Sequence, residues 1–258
     1  MLLPFYKYQG TGNDFVIIDN RTLFFPKDDT KLINHLCDRK FGIGGDGLIL
    51  LENDKISDFR MVYYNSDGQQ STMCGNGGRC IVAFANHLGI IQEHTSFVAI
   101  DGLHHAEYGS GVVKLQMGDV QEVAHFEEYS FLNTGSPHHV QLIDNLEKKD
   151  IKKLGAAIRY GKYGTSGSNI NFVEQLSKNE FVVRTYERGV EDETLSCGTG
   201  VTAVALAMFD KHLATSNTIV LKTPGGALEV NFKKTAAGFS NIFLKGPAQM
   251  VFKGEIEC

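Results

Sequence analysis

No stretch of this 258-residue chain approaches about 18 consecutive apolar residues, so the sequence holds no conventional membrane-spanning helix and predicts no membrane partner. The opening MLLPFYKYQG breaks its apolar start at Pro4 and Lys7, and so lacks the long hydrophobic segment of a secretory leader. Basic clusters are missing too. The 25 lysines and arginines are scattered and the formal net charge is −5, which leaves nothing to neutralise a phosphate backbone and excludes nucleic acid as a partner. The cysteines lack any paired pattern: five of them, an odd number, stand at positions 37, 74, 80, 197 and 258. There is no CxxC and no nearby HxxxH, so neither a disulfide framework nor a tetrahedral metal site is expected, and no metal or cofactor is assigned. Thiols without partners point to a reducing compartment, here the cytoplasm. What is left is ordinary: 42% hydrophobic and 21% charged residues, the usage of a folded globular protein.

Short β-branched and aromatic runs bounded by glycine or asparagine dominate the chain. FVIID, LILLEN, FRMVYY, SFVAI, VVKLQM, HHVQLI, NFVEQ, FVVRTY, TIVLKT, LEVNF and IFLKG all read as strands. Helical patterning is strongest over 29–39, 77–87 and 200–212 and weaker over 150–159. Few helices among many strands predict an α+β fold. The chain also resembles itself. FRMVYYNSDGQQSTMCGNGGRCIVAFA has a counterpart in FVVRTYERGVEDETLSCGTGVTAVALA, each a strand, a polar turn and then Cys-Gly-x-Gly opening a helix. Phe59 precedes Cys74 by 15 positions and Phe181 precedes Cys197 by 16. GNDFVIID around Asn13 echoes SNINFVE around Asn169. The repeat predicts two homologous, pseudo-symmetric domains, 1–118 with 249–258 and 119–248, with a linker near 118–130 and the active site in the cleft between them.

Within this repeat the two Cys-Gly-x-Gly turns carry the chemistry. A lone cysteine is most often a small buried hydrophobe. Two at equivalent positions, each opening a helix, meet unpaired N–H groups and the positive end of a macrodipole that favour a thiolate. A helix start can pull a thiol down from its usual pKa of about 8.5 toward neutrality, where it serves as base or acid. Gly75, Gly77, Gly198 and Gly200 let backbone N–H groups approach a small anion such as an α-carboxylate. Two such groups related by an approximate twofold axis suit stereochemical inversion, in which one face of a carbon loses a proton and the other gains one.

KYQGTGNDFVIID, YYNSDG, MCGNGGRC, TYERG and LSCGTGVTAVA, in this order and across almost the whole chain, resemble the motifs of the diaminopimelate epimerase family. The resemblance implies two domains, each a mixed sheet or barrel wrapped around a central helix. It also implies a pyridoxal-independent interconversion of LL- and meso-diaminopimelate, on the route to lysine and peptidoglycan, by a two-cysteine mechanism. By motif, Cys74 and Cys197 would be the acid/base pair, and Gly75, Asn76, Gly198 and Thr199 would hold the α-carboxylate. Asn13, Asn65, Asn169, Glu187 and Arg188 would recognise the substrate's other polar groups. His138, with Ser136 beside it in NTGSPHHV, matches a family histidine near the cysteines and would act from behind them; a structural role is its alternative, and His139 has no such match. The chain departs from many relatives in having Ser136 for Asn, Gly47 for Gln and Thr199 for Ser.

Competing roles remain at this level. Arg188 either grips a carboxylate bidentately or ion-pairs with Glu191, Asp192 or Glu193. GIGGDG at 42–47 matches the dinucleotide fingerprint in letters only, because the helix-like segment precedes it and the strand follows. It reads as a tight helix-to-strand turn. Proline racemase and hydroxyproline epimerase have a similar design, and a non-catalytic amino-acid-binding protein is the reading from another class, though a binder needs no thiol on both sides. The partner in each case is a small amino acid, and a homodimer is compatible with the sequence.

Overall fold

A computed structural model describes residues 2–258 of the chain. The chain divides into two compact units, Met1–Leu115 with Gly246–Cys258, and Gln116–Lys245.

The first unit runs β1 (Leu2–Gly10), β2 (Asn13–Asp19), α1 (Thr30–Cys37), β3 (Gly47–Glu52), β4 (Phe59–Asn65), α2 (Gly75–His87), β5 (His94–Ala99), β6 (Gly102–Gly109) and β7 (Val112–Met117). β1 and β2 form an antiparallel pair, β2 is parallel to β3, β3 antiparallel to β4, β4 parallel to β5, and β5, β6 and β7 are successively antiparallel. A parallel neighbour demands a crossover, and α1 and α2 are the two crossovers.

The second unit runs β8 (Ala124–His125), β9 (Ser130–Asn133), β10 (Pro137–Leu142), α3 (Ile151–Tyr163), β11 (Asn169–Ser177), β12 (Glu180–Glu187), β13 (Asp192–Thr194), α4 (Gly198–Asp210), β14 (Thr218–Thr223), β15 (Gly226–Thr235) and β16 (Gly238–Pro247). Its ladder repeats the first: β9 antiparallel to β10, β10 parallel to β11, β11 antiparallel to β12, β12 parallel to β14, then β14, β15 and β16 antiparallel in turn. A last strand, β17 (Gln249–Glu257), returns to the first unit and pairs antiparallel with β1.

The helices fall into two kinds. α1 and α3 lie on the outside of their units, bury one stripe each, and start from an aspartate whose carboxylate accepts the N–H three residues on: Asp29 from Leu32 and Asp150 from Lys153, both at 3.0 Å. α2 and α4, each 13 residues long, are buried nearly all round. A helix apolar on every side has to be a core element. Strands β1, β2, β3, β6 and β17 pack on α2, and β9, β10, β11, β12, β14 and β15 on α4. Phe84 on α2 meets Tyr6 and Tyr8, and Phe209 on α4 meets Phe232 and Phe239, with ring centroids 4.8 to 6.2 Å apart.

The fold is therefore α+β, with two units of one topology, each a mixed sheet around a central helix. Every strand run read from the sequence falls on a strand. β1, β6 and β17, and the short β8, β9 and β13, are additional. α2 and α4 begin two residues before the expected starts, at Gly75 and Gly198, and α3 runs on to Tyr163. Residues 42–47 join α1 to β3, a helix-to-strand turn and not a strand-to-helix loop.

Candidate functional site

Cys74 and Cys197 are the N-caps of the two central helices. Both have extended backbone, φ −99° and ψ 134° at Cys74, φ −121° and ψ 111° at Cys197, and neither makes a side-chain capping hydrogen bond. Each carbonyl accepts the first intrahelical bond, from Gly78 at 2.7 Å and from Val201 at 3.0 Å. The outer helices satisfy one first-turn N–H with an aspartate. The central ones have no such side-chain cap, and their first turns lie at the positive end of the dipole.

In the first unit, Asn13 at the head of β2 stands over the cysteine turn. Its Oδ1 accepts from the Cys74 thiol at 3.6 Å and from Asn76 Nδ2 at 3.3 Å. The opposite face of the same amide donates to the Asp46 carboxylate, which also accepts from the Asp14 N–H and from Arg39. Asp46 can only accept, so it fixes which way Asn13 points. Asp14 beside it is held by Arg39 and Lys7. Burial alone would raise the Asp14 carboxyl, but hydrogen bonds from those two cations bring it down to about 2. Arg79, fully buried one turn along α2, donates to Gly75 O at 3.2 Å, Thr11 Oγ1 at 3.1 Å and Asn76 Oδ1 at 3.0 Å. At the same position of α4, five residues past its cysteine, Thr202 donates to Gly198 O at 2.9 Å.

Asn65 closes β4 opposite Gly47, its backbone tied into the turn through Gln69 and Gly68. Gly47 is obligatory where it stands: a Cβ there would lie 2.6 Å from Tyr63 Cε2 and 3.0 Å from the Tyr63 hydroxyl. The departure from the family's Gln is thus occupied by the ring of Tyr63.

In the second unit, Asn169, Arg188 and Ser136 form one group. Asn169 Nδ2 donates to Ser136 Oγ at 3.0 Å, Asn169 Oδ1 accepts the Arg188 N–H at 2.9 Å, and Arg188 Nη2 donates to Ser136 Oγ at 3.3 Å. Ser136, a second departure, accepts from both of the others through its Oγ. Arg188 Nη1 donates to Ser166 O at 3.1 Å. The competing surface ion pair is absent: Glu191 pairs with Arg159, Asp192 with Lys152 and Glu193 with Arg184. Glu187 accepts from Thr194 Oγ1 at 2.9 Å. Cys197 Sγ lies 3.5 Å from Thr199 Oγ1, and Thr134 Oγ1 donates to Thr199 O at 2.9 Å.

His138 and His139 are both buried on β10, and burial pushes their pKa values down to about 3 and about 4. Two other thiols, Cys37 and Cys80, are driven up to about 12, above all by burial, and are inert packing. The structure thus gathers Asn13, Cys74, Gly75 and Asn76 in one unit and Ser136, Asn169, Arg188, Cys197 and Thr199 in the other. Sequence reasoning passed over Asp46, Tyr63, Arg79, Asn171 and Thr202. Only Arg79 and Thr202 had left a signal, their equal offset from the two cysteines.

Solved structures show the same fold. A PhzF-family phenazine biosynthesis protein from Bacillus anthracis aligns over 100% of both chains with a TM-score of 0.81 at 13% identity. A hydroxyproline epimerase from Agrobacterium vitis aligns over 99% of this chain and 92% of its own, with a TM-score of 0.70 at 12% identity. The fold class is therefore that of these two proteins. Sequence narrows it further. The family model described as diaminopimelate epimerase matches residues 5–123 and 130–251, and the diaminopimelate epimerase of Flavobacterium psychrophilum is 62% identical over 256 residues, 98% of this chain and 100% of that one. The chain belongs to the diaminopimelate epimerase family, and its reaction is accordingly an isomerisation, the epimerisation of diaminopimelate.

Proposed function

We propose that Cys74 and Cys197 are the acid and base of this reaction, interconverting LL- and meso-diaminopimelate at one α-carbon without pyridoxal phosphate. The observation that carries the reading is the repeated turn, two uncapped 13-residue helices each with a cysteine at its N-cap and glycine at its first position. One thiolate takes the α-proton. The charge left behind spreads onto the α-carboxylate, where N–H groups of Gly75, Asn76, Gly198 and Thr199 stabilise it, each well-placed donor being worth roughly 3 to 4 kcal/mol. The other thiol returns a proton to the opposite face, and the two cysteines end with their protonation states exchanged. Asn13, Asn65, Asn169, Glu187 and Arg188 bind the remaining polar groups, with Arg188 on the distal carboxylate. The enzyme would act in the cytoplasm, in the route to lysine, and the reading is the same for a monomer and a homodimer. Among the described residues no helix is long and apolar enough to cross a membrane.

In deuterated water, with no cofactor added, the protein is expected to interconvert the two stereoisomers and to place solvent deuterium at one α-carbon. Cys74→Ala and Cys197→Ala should each lower turnover by about 10²- to 10⁴-fold, the range for a lost acid or base, with circular dichroism unchanged. Near-normal turnover in either variant would sink the two-cysteine scheme. Exchange with proline or hydroxyproline in place of diaminopimelate would move the substrate.

A further inference from the structure

His138 is fully buried, and its two ring nitrogens are treated differently. Nδ1 lies 3.1 Å from Asn171 Nδ2, while Nε2 has no hydrogen-bond partner. The orientation of the Asn171 amide is set independently of the histidine. Its Nδ2 stands 2.9 Å from the His139 carbonyl, which can only accept, and its Oδ1 accepts from Thr185 Oγ1 at 3.0 Å. The group facing His138 Nδ1 is therefore an N–H donor. A proton on Nδ1 would set two donors head to head, so Nδ1 offers its lone pair and the ring proton of the neutral imidazole sits on Nε2. The doubly protonated ring is disfavoured by burial and by the neighbouring Arg188 cation. The amide also borders the catalytic turn: the point where a Gly200 Cβ would stand is 2.5 Å from Asn171 Oδ1 and 3.3 Å from Cys197 Sγ.

We propose that Asn171 is a positioning residue that holds His138 as the neutral Nε2–H tautomer, so that this buried ring serves the reaction as a hydrogen-bond donor and not as a base. With Nε2 protonated and the Nδ1 lone pair already accepting from Asn171, the ring has no free lone pair with which to take a proton from a thiol. What it can do is donate to negative charge, and the reaction creates such charge on a thiolate and on the substrate carboxylate. A buried donor without a partner in the resting protein gains one when that charge arrives, which is the differential stabilisation that speeds a chemical step. The inference rests on Cys197 being one of the two catalytic thiols.

The test is a two-bond ¹H–¹⁵N spectrum of the histidine-labelled full chain at neutral pH, with His138 assigned by its loss in His138→Gln. The expected pattern is a protonated, pyrrole-type Nε2 and an unprotonated, pyridine-type Nδ1. In Asn171→Asp the facing group becomes an acceptor, so the proton should move to Nδ1; kcat should fall at least tenfold with KM within about twofold, and a new acid limb should enter the pH–rate profile. Asn171→Ser, whose hydroxyl can donate to Nδ1, should restore part of both signals. A wild-type spectrum with Nδ1 protonated overturns the tautomer assignment, even if neither Asn171 variant folds. A moved proton in Asn171→Asp with unchanged kcat overturns the role in the reaction. Failure of the underlying reading looks different: wild-type protein that exchanges no α-deuterium, whatever its histidine spectrum.

Discussion

The acidic residues just after Arg188 are all paired with other cations. Glu191, Asp192 and Glu193 stand three to five residues along the chain, yet each sits 2.5 to 3.4 Å from another cation. The guanidinium is then aimed by neutral groups alone, Ser136 Oγ and Ser166 O. Such a group suits planar bidentate contact with a carboxylate, which an ammonium cannot reproduce. Arg188→Lys is expected to lower kcat/KM for diaminopimelate about tenfold or more, a loss of roughly 1.5 to 3 kcal/mol for a charged hydrogen-bonded contact, felt mainly in KM. An unchanged KM would place the distal carboxylate elsewhere. Residue identity also showed in the sequence where the chemistry is local. The two Cys-Gly-x-Gly turns and the ERG run announce themselves, whereas Asn171 acquires its place only through strand register, opposite Thr185 on β12 and beside Val140 on β10. No spacing in the sequence marks a residue chosen by its cross-strand neighbours.

Among the elements, the two central helices decide how closely the site can be built. At Gly200 a side chain has no room, with Asn171 Oδ1 2.5 Å and Cys197 Sγ 3.3 Å from an added Cβ. Gly200→Ala should therefore lower stability by about 1 to 3 kcal/mol, the usual cost of overpacking, and lower turnover as well by displacing the thiol. Asp150→Ala at the outer helix should cost about 1 kcal/mol through the lost cap and leave turnover at the wild-type level. Denaturant titration with parallel assays separates the two, and equal turnover losses would contradict the division between capped and uncapped helices. The same division explains what could be read in advance. Glycine at the first helical position has poor helix propensity, which hid the first turns of α2 and α4 behind Gly75 and Gly198. β1 was masked by Pro4 and the buried Lys7, and β17, exposed along most of its length, lacks the alternation that a buried face imposes.

For the whole molecule, the buried histidines couple folding to pH. His138 and His139 have folded pKa values near 3 and 4, below the usual 6.5 of an exposed ring. As pH falls through 6.5 the unfolded chain takes up two protons that the folded one refuses, so their contribution to stability is complete above 6.5 and is lost progressively toward pH 4. The slope is roughly 1.4 kcal/mol per pH unit for each ring. Urea midpoints should therefore drop steadily between pH 6.5 and 4.5, and His138→Gln should roughly halve the dependence. A flat profile over that interval would mean that both rings protonate in the folded chain. Asp14, held near 2, contributes only further down, as pH falls below the ordinary carboxylate range.

The fifth residue after each cysteine bears on how far the two halves are alike. Arg79 and Thr202 hold the same first-turn carbonyl of their helices, Gly75 O and Gly198 O, but one brings a full positive charge into the core and the other a hydroxyl. The acceptors around Arg79 are all neutral, so its charge is carried by dipoles and not by a counter-ion. A designer who symmetrised the protein by copying one half onto the other would bury two guanidinium groups or none. Either product would keep the ladder, the helices and both thiols, and would change the electric field in which one of those thiols sits.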